Sequence, residues 1–172
     1  MQIDVTRYLG AVERRVEFRE QDGRRMAAVI ASRVFDTDEA DLWDAVTNPE
    51  RLPRWFAPVR GDFHLGGRYQ VEGNASGTIT ACEPPRHLSL TWEFAGHVSW
   101  VEVRLAAASE GRTRLTLEHL AEVSEFWDRY GPGASGVGWE LGLLGLALHL
   151  EGKGAFERSA GEAWAISDEG KQ

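Results

Sequence analysis

Cysteine is nearly missing from this chain. Cys82 stands alone, so no internal disulfide can form, and a reducing, cytoplasmic location is expected. Nothing beside Cys82 in the sequence would activate its sulfur, and it reads as a packed thiol in a strand. An excess of basic charge is lacking as well: 19 Lys and Arg face 27 Asp and Glu, a formal net charge of −8. A nucleic-acid binder needs a basic stripe and an anionic membrane attracts polybasic segments, so neither partner is expected. Long apolar runs are missing too. The most apolar stretch, Trp139 to Leu150, is shorter than the roughly 20 residues that cross a bilayer, so no membrane insertion is expected. The opening residues, MQIDVTRYLGAVERR, have no basic start followed by an apolar run, and no secretory leader is expected.

Catalytic and metal-binding signatures are equally sparse. His64, His87, His97 and His149 are scattered without ligand spacing, and neither a metal nor a cofactor is expected. Ser76, Ser89, Ser99 and Ser135 lack the Gly-x-Ser-x-Gly setting of a nucleophile elbow. The run from Gly131 to Gly138 is rich in glycine but lacks the Lys-Ser/Thr ending of a phosphate loop, and it reads as a flexible hinge.

Large aromatics are what the chain has in quantity, with seven Trp and seven Phe in 172 residues. Each buries much area, which implies a thick core or an aromatic-lined cavity. Val5, Tyr8, Leu9 and Val12 recur at helical spacing. Strands at Val16–Glu20 and Arg24–Phe35 flank the hairpin dipeptide Asp22-Gly23. Asp36-Thr37-Asp38 caps a helix with apolar positions Ala40, Leu42, Trp43 and Val46, stopped by Asn48-Pro49, and a second short helical turn follows to Trp55.

From there the period shortens to two. Strands are expected at Val59–Phe63, Arg68–Gly73, Gly77–Glu83, Leu88–Phe94, Val98–Ala106 and Arg112–His119, joined by short turns as an antiparallel meander. Leu88, Leu90, Trp92 and Phe94 share one face, as do Val101, Val103 and Leu105, and Leu115, Leu117 and His119. Glu93, Glu102 and Glu118 fall on the opposite, solvated face, which argues against a glycosidase carboxylate pair. The helix from Gly138 to Glu151, apolar nearly all round, is the expected cover for the apolar face. Phe126, Trp127 and Tyr130 before it read as an aromatic flap. The tail after Gly152 is small and polar.

This order resembles the helix-grip superfamily, which includes the START lipid-transfer domains, the birch-pollen allergens and the polyketide cyclases and is also called SRPBCC. The nearest resemblance is to its AHSA-like branch, the homologues of the activator of heat-shock-protein-90 ATPase. It is carried by Leu42-Trp43-Asp44-Ala45-Val46-Thr47-Asn48-Pro49-Glu50, Trp55-Phe56, Gly61-Asp62, Gly66-Gly67-Arg68-Tyr69, Gly77-Thr78-Ile79, Glu83 to Leu88, Thr91-Trp92-Glu93, Thr113 to His119 and Gly138-Trp139. It spans residues 26–151, and its motifs are turn and packing residues with no shared catalytic set. The fold implied is α+β: a curved antiparallel sheet wrapped around a long C-terminal helix, with two short helices after the first core strand. One domain over 1–172 is expected, with a helix-grip core at 24–152, an added helix and hairpin at 1–23 and a tail at 153–172.

Candidate lining residues for a cavity between sheet and helix are Trp43, Trp55, Phe56, Phe63, Tyr69, Trp92, Phe94, His119, Phe126, Trp127, Tyr130, Trp139 and Leu143. Arg54, Arg68, Tyr69 and His119 are the candidate polar anchors, and a satisfied structural histidine is the plainer account of His119. Three functional readings stand open. One is non-catalytic binding of a small hydrophobic, aromatic or lipid molecule. The second is an interaction module, co-chaperone-like with a chaperone as partner as the resemblance implies, or with a second copy of the chain docked on the apolar last helix. The third is a cyclase or hydratase using His119 or a tyrosine as acid–base, with no enzymatic role the preferred reading.

Overall fold

A computed structural model describes residues 5–152, the side chains at 5, 6, 9, 126, 130 and 134 excepted. The expectations for the tail beyond Gly152 therefore lie outside the described residues.

A short helix α1 (Val5–Gly10) places Tyr8 and the following Val12 in the core. Strands β1 (Glu13–Gln21) and β2 (Arg24–Phe35) form a hairpin, with Asp22 and Gly23 both at positive φ, 53° and 74°, as a tight turn requires. β1 is longer than its hydrophobic pattern indicates. Its residues are mostly exposed, so apolar alternation hardly marks it, and its charges suit a sheet edge.

Helix α2 (Glu39–Thr47) starts at Asp38, whose carboxylate accepts from the Asp41 amide at 2.8 Å. A 3₁₀ turn at Leu52–Arg54 follows. The meander is β3 (Val59–Gly61), β4 (Arg68–Val71), β5 (Ser76–Glu83), β6 (His87–Phe94), β7 (His97–Ser109) and β8 (Arg112–Glu122). The eight strands form one antiparallel sheet in the order β1-β2-β8-β7-β6-β5-β4-β3, open between its edges β1 and β3. Pairing of β2 with β8 joins strands far apart in sequence, Ala31 opposite Leu117 and Val29 opposite His119.

Register sorts the side chains. Leu88 faces Val103, Val103 faces Leu117, and Leu105 faces Leu115, so apolar groups share the inner face. Outer-face charges pair laterally, as in Arg68–Glu93 at 2.7 Å and the Arg19–Glu118 bridge at 2.5 Å. Two helices follow β8, α3 (Glu125–Tyr130) and α4 (Gly133–Leu150). α4 lies on β2, and Leu143, Leu146, Ala147 and Leu148 join Leu42, Ala45, Val101, Leu105 and Leu115 in the core.

The glycine-rich hinge expected at 131–138 is corrected. Gly131 turns the chain at φ 63° and α4 begins at Gly133, running through the rest of that segment. Its intrinsic helix propensity is poor, but contact with the sheet overrides propensity: a Cβ on Gly136 would sit 3.9 Å from the Val29 side chain. The flap is helical, and Trp127 meets Phe18 of β1 edge-on at 6.3 Å. Among the described residues no helix is long and apolar enough to cross a membrane.

Candidate functional site

Where α4 lies on β2 and α2 lies on β7 and β8, inner-face residues such as Leu105, Leu115 and Leu117 are buried. Toward β6, the inward Leu88, Leu90 and Trp92 are only half-buried, although the same alternation points them to the interior. The space left there is a cavity of about 310 Å³. Its floor is the sheet: Val71, Ile79, Cys82, Leu88, Leu90, Trp92, Val101, Val103, Leu115 and Leu117. Its roof is the α4 stripe of Trp139, Gly142, Leu143 and Leu146. α2 and the turn after it supply a side wall with Trp43, Val46, Thr47, Leu52, Trp55 and Phe56. Val59, Phe63, Tyr69 and Pro84 complete it, and exposed Phe63 and Pro84 mark the side open to solvent.

Two glycines shape this space. A Cβ on Gly77 of β5 would fall 2.0 Å from the Thr91 carbonyl oxygen and 2.8 Å from the Tyr69 ring. Only glycine lets that ring lie across the strand, so that the phenol donates to the Thr91 carbonyl at 2.5 Å. On α4, a Cβ at Gly142 would be 3.9 Å from the Trp55 ring, so the bare backbone there leaves room facing the side wall.

Of the twenty-four lining residues, none is Asp, Glu, His, Lys or Arg. Most of the polar groups they carry are already used. Thr47 Oγ1 donates to the Trp43 carbonyl at 2.6 Å, and Trp55 Nε1 donates to the Ala45 carbonyl at 2.9 Å. The Tyr69 phenol is pushed well above its usual range by burial, then by the Glu93 charge. Among the described residues no group of His, Cys, Asp and Glu could hold a metal ion.

His119 is placed behind the aromatic wall rather than on it. Trp139 Nε1, a donor only, donates to His119 Nδ1 at 2.9 Å, which fixes the proton on Nε2. Nε2 donates in turn to Ser99 Oγ at 2.7 Å, and Ser99 donates to the Trp92 carbonyl at 3.2 Å. Burial pushes the imidazole down to about 4. With both nitrogens engaged and the ring neutral, His119 orients the Trp139 indole. That is the place of a satisfied structural histidine, the plainer of the two accounts open to it, rather than of an anchor or an acid–base group.

The remaining candidates divide. Trp43, Trp55, Phe56, Phe63, Tyr69, Trp92, Trp139 and Leu143 border the cavity. Phe94 does not: it lies at the end of β6 beside the turn and is 55% exposed. Trp127 packs on β1 instead. The side chains of Phe126 and Tyr130 lie outside the described residues. Arg54 is exposed in the 3₁₀ turn. Arg68 is on the outer face, donating to Glu93 at 2.7 Å and Thr78 at 3.1 Å. Neither guanidinium borders the cavity; for Arg68 the reason is that odd and even positions of β4 face opposite sides and Tyr69 takes the inner one.

Sequence reasoning missed Cys82 as a wall residue, the role of Ser99, and Arg51. Arg51 Nη1 donates to Asp41 Oδ1 at 2.8 Å and Asp44 Oδ2 at 3.0 Å, while Nε lies 3.3 Å from His149 Nε2 on α4. This cluster ties the roof of the cavity to its side wall. Burial, then the Arg51 and Arg54 charges, holds the His149 imidazole below its usual range and suits it to accept from Arg51.

The model of the family described as activator of Hsp90 ATPase homolog 1-like protein matches residues 36–151. CalU16 from Micromonospora echinospora, seen in a crystal structure, is 35% identical; the match covers 90% of this chain and 96% of that one with a TM-score of 0.74. Protein MLL2253 from Mesorhizobium loti is 25% identical over 73% of this chain and 97% of its own, with a TM-score of 0.63. An HSP90 activator from Plasmodium falciparum shares the fold at 19% identity, over 73% of this chain and 96% of that one, with a TM-score of 0.58. No curated protein matches the sequence.

Proposed function

Because the chain belongs to the activator of Hsp90 ATPase homolog 1-like family, we propose that it binds a small hydrophobic molecule in the cavity between sheet and α4 and does not transform it. The observation that carries this reading is the cavity itself: about 310 Å³ with no charged side chain among the described residues that line it. Ligand pockets are mostly apolar with few polar groups. A guest that buries about 250 Å² of apolar surface gains roughly 6 kcal/mol, from which the loss of its translational and rotational freedom is subtracted.

An enzymatic role for the same space draws no support from the two groups expected to serve it, since His119 is neutral and bonded at both nitrogens and the Tyr69 phenol is committed to Thr91. The interaction-module reading draws on the family description and on Phe94, Val98 and Trp100, exposed near the β6–β7 turn. Native mass spectrometry of protein purified without added ligand, with thermal shifts on a panel of apolar compounds, tests the proposal. A co-purifying small molecule or a saturable shift is expected. No adduct and no shift with any compound would defeat it, and stimulation of an Hsp90 ATPase by the ligand-free chain would favour the module instead.

A further inference from the structure

The walls of the cavity narrow the chemistry of its guest, on the premise that the cavity is a binding site. One side is a continuous aromatic surface. Trp55 tilts against Phe56 at 5.5 Å, Phe56 stacks on Trp139 at 6.4 Å and 15°, and Trp139 meets Trp92 edge-on at 5.1 Å. Such a surface favours a flat π-system, which gains ring–ring attraction beyond its area, over a flexible chain that must be ordered on entry.

Charge selects further. Among the described residues no wall residue is cationic, and Arg54 and Arg68 both lie off the cavity, the second already paired with Glu93. A carboxylate drawn inside has no partner, and an isolated buried charge is disfavoured by several kcal/mol. An ammonium group fares no better, since no carboxylate of the described residues faces the space.

Hydrogen-bonding capacity sets the last constraint. The side-chain donors of Thr47, Trp55, Tyr69 and Trp139 are used within the fold. Trp43 and Trp92 also border the cavity, and no hydrogen bond occupies their indole N–H groups among the described residues. An indole N–H donates and never accepts. The N–H donors left over on these walls are the two indoles, and an oxygen that only accepts complements them.

We infer that the guest is a neutral, flat aromatic molecule of about two or three rings, the size that such a volume packs, bearing a carbonyl-type oxygen, and that carboxylates and aliphatic lipids are poor ligands. Cys82, the one cysteine of the chain, lines the cavity and serves as a local reporter. The intact chain at pH 7.5 is titrated with 2-acetonaphthone, with 2-naphthoate as its charged near-isostere, with naphthalene and with 1-decanol. Binding is read from maleimide labelling of Cys82 and from tryptophan quenching.

The ketone is expected to protect Cys82 and to bind at least tenfold more tightly than 2-naphthoate and 1-decanol. A smaller ratio against either overturns the inference. Decanol protecting Cys82 better than the ketone would overturn the aromatic class while leaving the cavity as a binding site. Protection by none of the four compounds would overturn the binding reading itself. Trp92→Phe and Trp43→Phe keep a ring while removing the N–H. At least one is expected to weaken the ketone fivefold or more relative to naphthalene, and an unchanged ratio in both refutes the assignment of the oxygen to these donors.

Discussion

Acid is expected to destabilise this fold through His119, by an amount that can be worked out from its surroundings. The imidazole is buried with its proton on Nε2, accepts from Trp139 at 2.9 Å and has a pKa near 4, against 6.5 for the free side chain. The folded value lies below the unfolded one, so the unfolded chain binds the extra proton first and stability falls as pH drops. The loss begins near pH 6.5, reaches about 2 kcal/mol at pH 5 and levels off near 3 kcal/mol below pH 4. Carboxylates with lowered values, such as Asp41, lose their pairing only at still lower pH, and His149 contributes in the same direction. A difference measurement isolates His119. Urea unfolding of wild type and His119→Gln is followed from pH 7.5 to 4.5. Glutamine does not titrate, so the gap between the two proteins is expected to shrink by about 2 kcal/mol on going to pH 5. Parallel stability curves for the two proteins, or an NMR titration placing the native His119 near 6.5, would refute the reasoning.

Gly142→Leu fills space beside Trp55 and improves helix propensity by about 0.5–1 kcal/mol; it is expected to hold or raise the melting temperature while weakening binding of any cavity guest at least tenfold by calorimetry. Leu146→Ala, at a fully buried position, is expected to cost about 2–5 kcal/mol in denaturant unfolding. Arg51→Ala breaks the link among Asp41, Asp44 and His149; with both carboxylates about half exposed, a stability loss of only about 1 kcal/mol is expected. Faster hydrogen exchange is expected in α2 and the last turns of α4, and unchanged protection there would contradict a tie between the two walls.

The local parts of this architecture were readable before any coordinates. Asp38 caps α2, Asp22-Gly23 turns the first hairpin, and the alternation through Leu88–Trp92 and Leu115–Leu117 marks the inner face. Each rests on neighbours a few residues apart. The features that escaped depend on distant partners. α4 starts at Gly133 because β2 lies beneath it, and β1 extends to Glu13 because β2 supplies the ladder. Trp139 and His119 were both singled out, but their bond joins a helix to a strand and no spacing rule reveals it. The site was half legible for the same reason. Periodicity tells which side chains point inward, but not where the covering helix stops covering them. Arg54 and Arg68 looked like anchors by proximity in sequence, and the pleat sends Arg68 to water.

The pairing of β2 with β8 has a consequence for biosynthesis. Residues 24–35 leave the ribosome early, yet their inner neighbour in the sheet is made some ninety positions later, and the helix that lies on β2 follows that. Closing so long a loop is entropically slow. The β3–β8 hairpins can assemble in order as they emerge, whereas β2 waits with an apolar run, Met26 to Ala31, unprotected. A nascent chain stalled before position 112 is thus expected to recruit holdase chaperones through that run, and one released past position 150 is not.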